Sequence, residues 1–489
     1  MRLSLLLWLI PGLACAQVHV AQGDLEGVAE GPVTAYLGVP FAAPPVGTLR
    51  WKAPQPAKAW AGVRKADRFA ADCRQGVTPQ GFGPWTHEYV VQGPVSEDCL
   101  YANVWTGAKA GDRRPVMVWI YGGGFNSGGG SVEVYDGRAL AARGIVVVNF
   151  NYRVNVYGFL AHPGLTAEAG TSGNYGLLDQ IAALTWVRDN IAAFGGDPAQ
   201  VTIAGQSAGA ASVHDLMHSP LASGLFVRAI AESGSGMGLD PAPLSDGEAQ
   251  GAAFQQAAGA VNLGALRTLD GAALDKAMGG AQFRPVMDGK VVTDHVVNDV
   301  PVLTGLTANE TSPGGRPEPA ADAFAAQLAA MFGPLAGEAS ALYPYADDAA
   351  DAVARDRGLA ALYLWDRDRS GHAPVHGYLW THVEPGPNAD GYKAFHSSEV
   401  PYVFGSFTPD RLFTDDDRKL SDEVESYWVN FVTTGDPNGA GLPEWPALTP
   451  DSKTILQIDT DTHSRPLLDD QRLDLFVRRS AQGGKVTLF

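Results

Sequence analysis

The seven residues AGQSAGA, positions 204–210, set one serine, Ser207, between Gly205 and Gly209 in the pattern Gly-x-Ser-x-Gly. In a chain with 58 glycines among 489 residues the pattern alone proves little, so its meaning rests on its flanks. Before it runs VTIAG (201–205), a short apolar run of the kind that forms a buried strand. After it, residues 208–217 carry a helical pattern. A strand that turns at once into a helix crowds the backbone at the turn, and glycine on either side of the serine relieves that crowding. Such an elbow lifts the serine oxygen above the strand ends. The helix that opens there has N–H groups without intrahelical partners and favours negative charge. In this context Ser207 reads as a nucleophile.

A serine hydroxyl is a weak nucleophile at neutral pH and needs a base. It also needs donors for the oxyanion that forms. YGGGFNSGGG (121–130) follows directly on the apolar run VMVWI (116–120). Glycines let backbone N–H groups approach a ligand closely. The N–H groups of Gly123, Gly124 and Ala208 are the candidates to converge on one oxygen, each such donor being worth ~3 kcal/mol in the transition state. No Gly-Lys-Ser/Thr follows the glycines, which argues against a nucleotide-phosphate loop.

Working outward, GIVVVNFNY (144–152) and PVLTGLT (301–307) are further valine-rich runs without strict alternation, as strands covered on both faces require. Residues 178–193 carry a broad apolar helical face, stopped by FGGDP at 194–198. Strands alternating with helices predict an α/β fold, a mostly parallel sheet flanked by helices. In such sheets functional groups gather at the carboxyl ends of the strands. Glu310 follows PVLTGLT at that end; Asp299 precedes it and belongs to the other. The alanine- and aspartate-rich segment 318–361 reads as a helical insertion. With no internal repeat and no Pro/Ser-rich linker, residues 17–489 read as one domain.

The net charge of −18 repels phosphate backbones and argues against nucleic acid as a partner. The first residues, MRLSLLLWLIPGLACAQ, read as a signal peptide. Arg2 supplies its positive start, residues 3–13 an apolar run too short to span a bilayer, and Ala14-Cys15-Ala16 a small-x-small cleavage site. A lipid anchor on Cys15 competes, but Gly12 stands where such signals carry a leucine-like residue. No later segment is apolar enough to be transmembrane. Export removes Cys15 and leaves Cys73 and Cys99 as an even pair in an oxidising compartment. Closing a loop of that length is worth about 3–4 kcal/mol in the chain-entropy model.

With these residues in view, the chain resembles the type-B carboxylesterases, the α/β-hydrolase family that includes the cholinesterases. The resemblance is carried by SEDCLYANVW (96–105), WIYGGGFNSG (119–128), NYRVNVYGFL (151–160), the run from GNYGLLDQ to FGGDP (173–198), GQSAGA (205–210), AFHSSEVPYVFG (394–405) and FVTTGDPNGAGLPEWP (431–446), spread over nearly the whole mature chain. It implies a triad in the order Ser207, Glu310, His396. His396 would take the Ser207 proton and return it to the leaving alcohol, while Glu310 orients the imidazole and stabilises its charged form. It implies hydrolysis of small-molecule carboxylic esters through an acyl-enzyme, with no cofactor.

The same resemblance suggests Arg50 and Glu97 as a structural ion pair beside the 73–99 loop, and Ser233 as a support for the triad. It places Phe125 and Phe283 near the acyl pocket, with Arg284 beside the latter. Gln206 stands where cholinesterases carry a glutamate, which argues against that role. Phe82, Trp85 and Tyr89 could cage a cation or simply wall an apolar pocket. His214 and His218 are four apart on a helix, but no third ligand presents itself, so no metal is assigned. Amidase, lactonase or polyester-hydrolase chemistry, or a binding or adhesion role on the same fold, stay open at this point.

Overall fold

In the computed structural model the described residues are 16–311, 319–369, 373–449 and 451–488. The signal segment, its cleavage site up to Cys15 and the first residue of the 318–361 segment therefore lie outside them. Eleven strands of the described residues form one sheet. In chain order they are β1 (Val28–Glu30), β2 (Val33–Pro40), β3 (Tyr101–Thr106), β4 (Arg114–Ile120), β5 (Val146–Phe150), β6 (Gly196–Gln206), β7 (Arg228–Glu232), β8 (Val302–Thr307), β9 (Val375–Trp380), β10 (Thr454–Ile458) and β11 (His463–Pro466). Across the sheet they run β11-β10-β9-β8-β7-β6-β4-β5-β3-β2-β1.

From β5 across β4, β6, β7, β8 and β9 to β10 neighbouring strands pair in parallel, and the pairs β5–β3, β3–β2, β2–β1 and β10–β11 are antiparallel. This is the α/β-hydrolase architecture expected from the sequence. The parallel strands β4, β5, β7 and β8 are buried along nearly their whole length, which is why their residues show no alternation. β6 begins at Gly196, five residues before the apolar run, with its register against β4 interrupted between Gly196 and Val201.

Helix α1 (Tyr175–Asn190) takes up residues 178–190 of the predicted 178–193 helix, and residues 191–193 fall in a 3-10 turn, Ile191–Phe194, which Gly195 closes at φ 80°. It is buried on several faces, and its buried Asp179 is tolerated there because Arg153 meets it with Nε–Oδ2 at 2.8 Å and Nη2–Oδ1 at 2.7 Å. Helix α2 (Ala208–Met217) begins one residue after Ser207 and packs on β6 and β7. Between β8 and β9 come α3 (Ala321–Phe332), α4 (Ala336–Leu342) and α5 (Ala349–Asp368). α5 packs directly on β8, and a Cβ at Gly358 would sit 2.7 Å from Leu306 Cδ1. Helices α6 (Val400–Phe404) and α7 (Asp415–Thr434) follow and pack on each other.

Cys73 and Cys99 are joined in a disulfide, with Cα atoms 4.9 Å apart. Arg50 grips Glu97 in a two-pronged ion pair at 2.6 and 2.7 Å and donates to the carbonyls of Arg267 and Leu269. The loop is thereby tied at its base to the main body.

Candidate active site

Ser207 sits on a backbone of φ 59° and ψ −123°, a conformation that a residue with a Cβ adopts only when its surroundings force it. The forcing groups are visible. A Cβ on Gly209 would lie 2.0 Å from the Ile120 carbonyl oxygen, and one on Gly205 would lie 2.6 Å from the Gly209 carbonyl carbon. Both glycines are there because α2 comes down almost onto the ends of β4 and β6. The Ser207 N–H donates to the Glu232 carbonyl at 2.9 Å, continuing the β6–β7 ladder one residue past Gln206.

Glu310 lies three residues past β8. Its Oε1 accepts from the Thr307 N–H at 2.8 Å and from the Ser233 hydroxyl at 2.5 Å, and its Oε2 meets His396 Nδ1. The loop of His396 is brought alongside by the Asn309 N–H, which donates to the Ala394 carbonyl at 3.0 Å. Burial pushes the Glu310 carboxyl up, but the His396 charge and these donors outweigh it and hold the group below its ordinary value. For His396 burial works against the proton, and the Glu310 carboxylate outweighs burial, so the imidazole is more basic than usual. With Nδ1–H donating to Glu310, Nε2 is left as the acceptor that a general base needs. The Gln206 amide nitrogen stands 3.1 Å from that Nε2.

Gly123 (φ 114°) and Gly124 (φ 62°) turn the chain after β4. The Gly123 carbonyl is taken by the N–H groups of Asn126 and Ser127 at 3.0 and 3.1 Å, so the turn closes on its own far side. Among the described residues, no protein acceptor meets the N–H of Gly123, Gly124 or Ala208. Ser207, Gln206, His396, Gly123 and Gly124 line one cavity of about 310 Å³. Ala208, the first residue of α2, is buried beside it.

The rest of the cavity wall comes mainly from the disulfide-closed loop, through Val77, Phe82, Trp85, Tyr89, Val90 and Val91. Phe125 and Phe283, expected near the acyl pocket, are not brought to this cavity. Each is 1% exposed; Phe125 packs edge-on to Phe159 and Phe283 edge-on to Phe254. Core packing has claimed both rings. Arg284 is exposed and donates to Gln282 Oε1 at 3.0 Å. Sequence reasoning missed Tyr135, Gln75 and Ser397 as lining residues. Only Ser397 carried a signal, its place next to His396.

The remaining candidates have structural partners. Ser233 touches the acid as expected. Asp299, at the amino end of β8, is paired with Arg369 at 2.7 Å. His214 bonds Ser235 Oγ at 2.8 Å and packs on Trp365. Among the described residues, no cluster of three or more His, Cys, Asp or Glu is arranged to hold a metal, and no helix is long and apolar enough to cross a membrane.

Comparison with known proteins adds to this geometry. The profile of the carboxylesterase family matches residues 14–316 and 354–476. A fumonisin B1 esterase of Sphingopyxis macrogoltabida is 38% identical over 487 residues, covering 88% of this chain and 84% of that protein. A para-nitrobenzyl esterase of Bacillus subtilis (strain 168) is 34% identical, covering 91% of this chain and 95% of that protein. A solved PNB esterase structure superposes with a TM-score of 0.75 at 33% identity, over 94% of this chain and 99% of its own.

Proposed function

This chain belongs to the carboxylesterase family and is a type-B carboxylic ester hydrolase, and from that premise we propose that it cleaves small-molecule esters outside the cytoplasm through an acyl-enzyme on Ser207. Ser207 Oγ attacks the ester carbonyl carbon and gives its proton to His396 Nε2. The carbonyl oxygen becomes an oxyanion held by the N–H groups of Gly123, Gly124 and Ala208. Collapse of the tetrahedral intermediate breaks the bond to the alkoxy oxygen, which takes the proton from His396 and leaves as the alcohol. A water then attacks the acyl carbon, yields its proton to His396 and releases the carboxylic acid. His396 returns the proton to Ser207. Glu310 holds Nδ1–H throughout and stabilises the imidazolium.

The observation that carries this reading is the unbroken chain from Ser233 through Glu310 to His396, ending at a cavity that also exposes Ser207 and the two glycines. The test is labelling with a fluorophosphonate and peptide mapping. Modification is expected on the peptide bearing Ser207, and Ser207→Ala is expected to lose ~10⁴–10⁶ in turnover. Labelling at another residue, or none, sinks the assignment. The resemblance to hydrolases with a Gly-Gly-Gly run, here residues 122–124, also implies turnover of esters of bulky alcohols. A tert-butyl ester left untouched beside rapid cleavage of a primary ester rejects that part.

Export to the periplasm or beyond is supported by the leader-like residues 1–16 and by the disulfide. N-terminal sequencing of the mature protein is expected to begin at Gln17. We read residues 17–489 as a single α/β-hydrolase domain, which unfolding in one calorimetric transition would support.

A further inference from the structure

We propose that Trp85 is at once a specificity wall of the cavity and a positioning residue for His396, on the reading that Ser207, Glu310 and His396 are the working triad. Trp85 comes from the disulfide-closed loop, more than three hundred residues before His396 in sequence. Its indole N–H donates to the His396 carbonyl at 3.1 Å and lies 3.4 Å from Ser397 Oγ. Its ring stands edge-on to the His396 imidazole and to Phe395, both with centroids 6.3 Å away. The same ring lines the cavity beside Phe82, 5.2 Å from it.

The peptide unit that the indole holds is a strained one. Ser397, next after the base, has φ 83° and is buried. A non-glycine residue keeps such a conformation only where its neighbours over-determine it. Trp85 is itself rigidly placed. It closes a tight hairpin with Phe82, in which Phe82 N–H donates to the Trp85 carbonyl at 2.8 Å and Trp85 N–H to the Phe82 carbonyl at 3.1 Å. Gly81 is required at its base, where a Cβ would lie 2.0 Å from the Trp85 carbonyl oxygen. Arg411 clamps the hairpin from behind, donating to the Pro84 carbonyl and to Thr86 Oγ1 at 2.8 Å each, and pairing with Glu88. The wall that meets the substrate and the backbone that carries the base are thus one connected unit.

This separates the two ends of the indole. The N–H acts on His396 whatever the substrate, and the ring acts on whatever apolar group fills the cavity. The enzyme is therefore a selector of esters with an aliphatic or aromatic group lying against Trp85 and Phe82. Among the cavity-lining residues His396 is the one that carries a titratable side chain besides the phenols Tyr89 and Tyr135, so the wall offers no carboxylate or ammonium to pair with a charged substituent.

The experiment compares p-nitrophenyl acetate and hexanoate as substrates, with every rate divided by the sites titrated with a fluorophosphonate. Trp85→Phe deletes the N–H and keeps an aromatic wall. It is expected to lower kcat about tenfold on both esters, with KM within twofold, and to move the acid limb of kcat/KM to lower pH as the imidazole loosens from Glu310. Trp85→Ala is expected in addition to raise KM about tenfold for hexanoate and little for acetate. Phe82 is 59% exposed, so Phe82→Ala should fold normally and raise the hexanoate KM severalfold while moving the acetate KM little. Should Trp85→Phe fail to fold, β-(3-benzothienyl)alanine at position 85 keeps the bicyclic shape without the donor and is expected to give the same kcat loss. Unchanged kcat per titrated site and an unmoved acid limb in both donor-less variants overturn the positioning role. Equal KM changes on both esters overturn the specificity role. Either outcome leaves wild-type labelling of Ser207 intact, whereas failure of the triad reading removes it.

Discussion

The side-chain amide of Gln206 faces the catalytic imidazole candidate, its nitrogen 3.1 Å from Nε2 of His396. A neutral amide at this point leaves Glu310 as the carboxylate that bonds the ring. Gln206→Glu would add a second negative charge within contact distance and favour the imidazolium. A base must be unprotonated to act, so the acid limb of kcat/KM is expected to move up by about one pH unit. Activity then falls near neutrality and recovers at pH values above both limbs. A pH–rate profile on p-nitrophenyl acetate checks this. Superimposable wild-type and variant limbs would show that the amide does not face the ring in solution.

The elbow makes a second, steric prediction. At Gly209 the atom in the way of a Cβ is the Ile120 carbonyl oxygen at 2.0 Å, a backbone group of a central strand that has nowhere to go. Gly209→Ala is expected to push α2 off β4, lower the melting temperature and reduce fluorophosphonate labelling of Ser207 at least a hundredfold. Gly93 has open space where its Cβ would be, so Gly93→Ala is the matched control and should alter stability by no more than about 0.5 kcal/mol. Equal behaviour of the two variants contradicts the crowding account.

The contrast between those two glycines shows what was legible in the sequence. Gly205, Ser207 and Gly209 are dictated by backbone geometry within a few residues, so the strand end, the elbow and helix α2 could be read locally, and Glu310 followed from the end of its strand. His396 had no such local signal; it lies in an irregular loop and was identified through resemblance. The cavity wall was the least legible part. Phe125 and Phe283 are aromatic residues next to the right motifs, yet both rings turn into the core, and no periodicity tells an inward ring from a cavity-facing one. Trp85 reaches His396 through a contact across 311 positions, which only the assembled fold creates. Asp179 illustrates the same limit within α1: a charged residue suggests a solvent face, but here it is fully buried against Arg153.

Ser233 is expected to matter through the acid alone. Its hydroxyl donates to Glu310 Oε1 at 2.5 Å from a backbone of φ 55°. Ser233→Ala leaves that buried oxygen with the Thr307 N–H and one donor fewer. A buried hydrogen bond to a charged group contributes about 1.5–3 kcal/mol, so a loss of roughly tenfold or more in kcat is expected, with KM nearly constant because the hydroxyl does not line the cavity. Steady-state kinetics per titrated site decide it. A change confined to KM would mean that Ser233 acts on the substrate instead.

Behind the triad, Glu232 and Glu399 are both fully buried, and Glu232 Oε1 accepts from the Trp428 indole N–H at 2.8 Å. Burial raises both carboxyls above their ordinary value of 4.5, and for Glu399 the nearby Glu232 and Glu310 charges add to it. The folded state therefore holds a proton on Glu232 more tightly than the unfolded chain does. Stability from this source is fully present below pH ~4.5 and drains away as pH climbs toward the raised folded value, because unfolding then releases the proton. Glu232→Gln keeps an oxygen for Trp428 and removes the titration. Wild-type and variant melting temperatures are expected to agree near pH 4.5 and to separate as pH rises to 9, with the variant the more stable. Differential scanning calorimetry across that range measures the gap. Parallel curves would mean that Glu232 enters the folded state without a bound proton, and that the charge behind Ser207 is compensated by a partner other than Trp428.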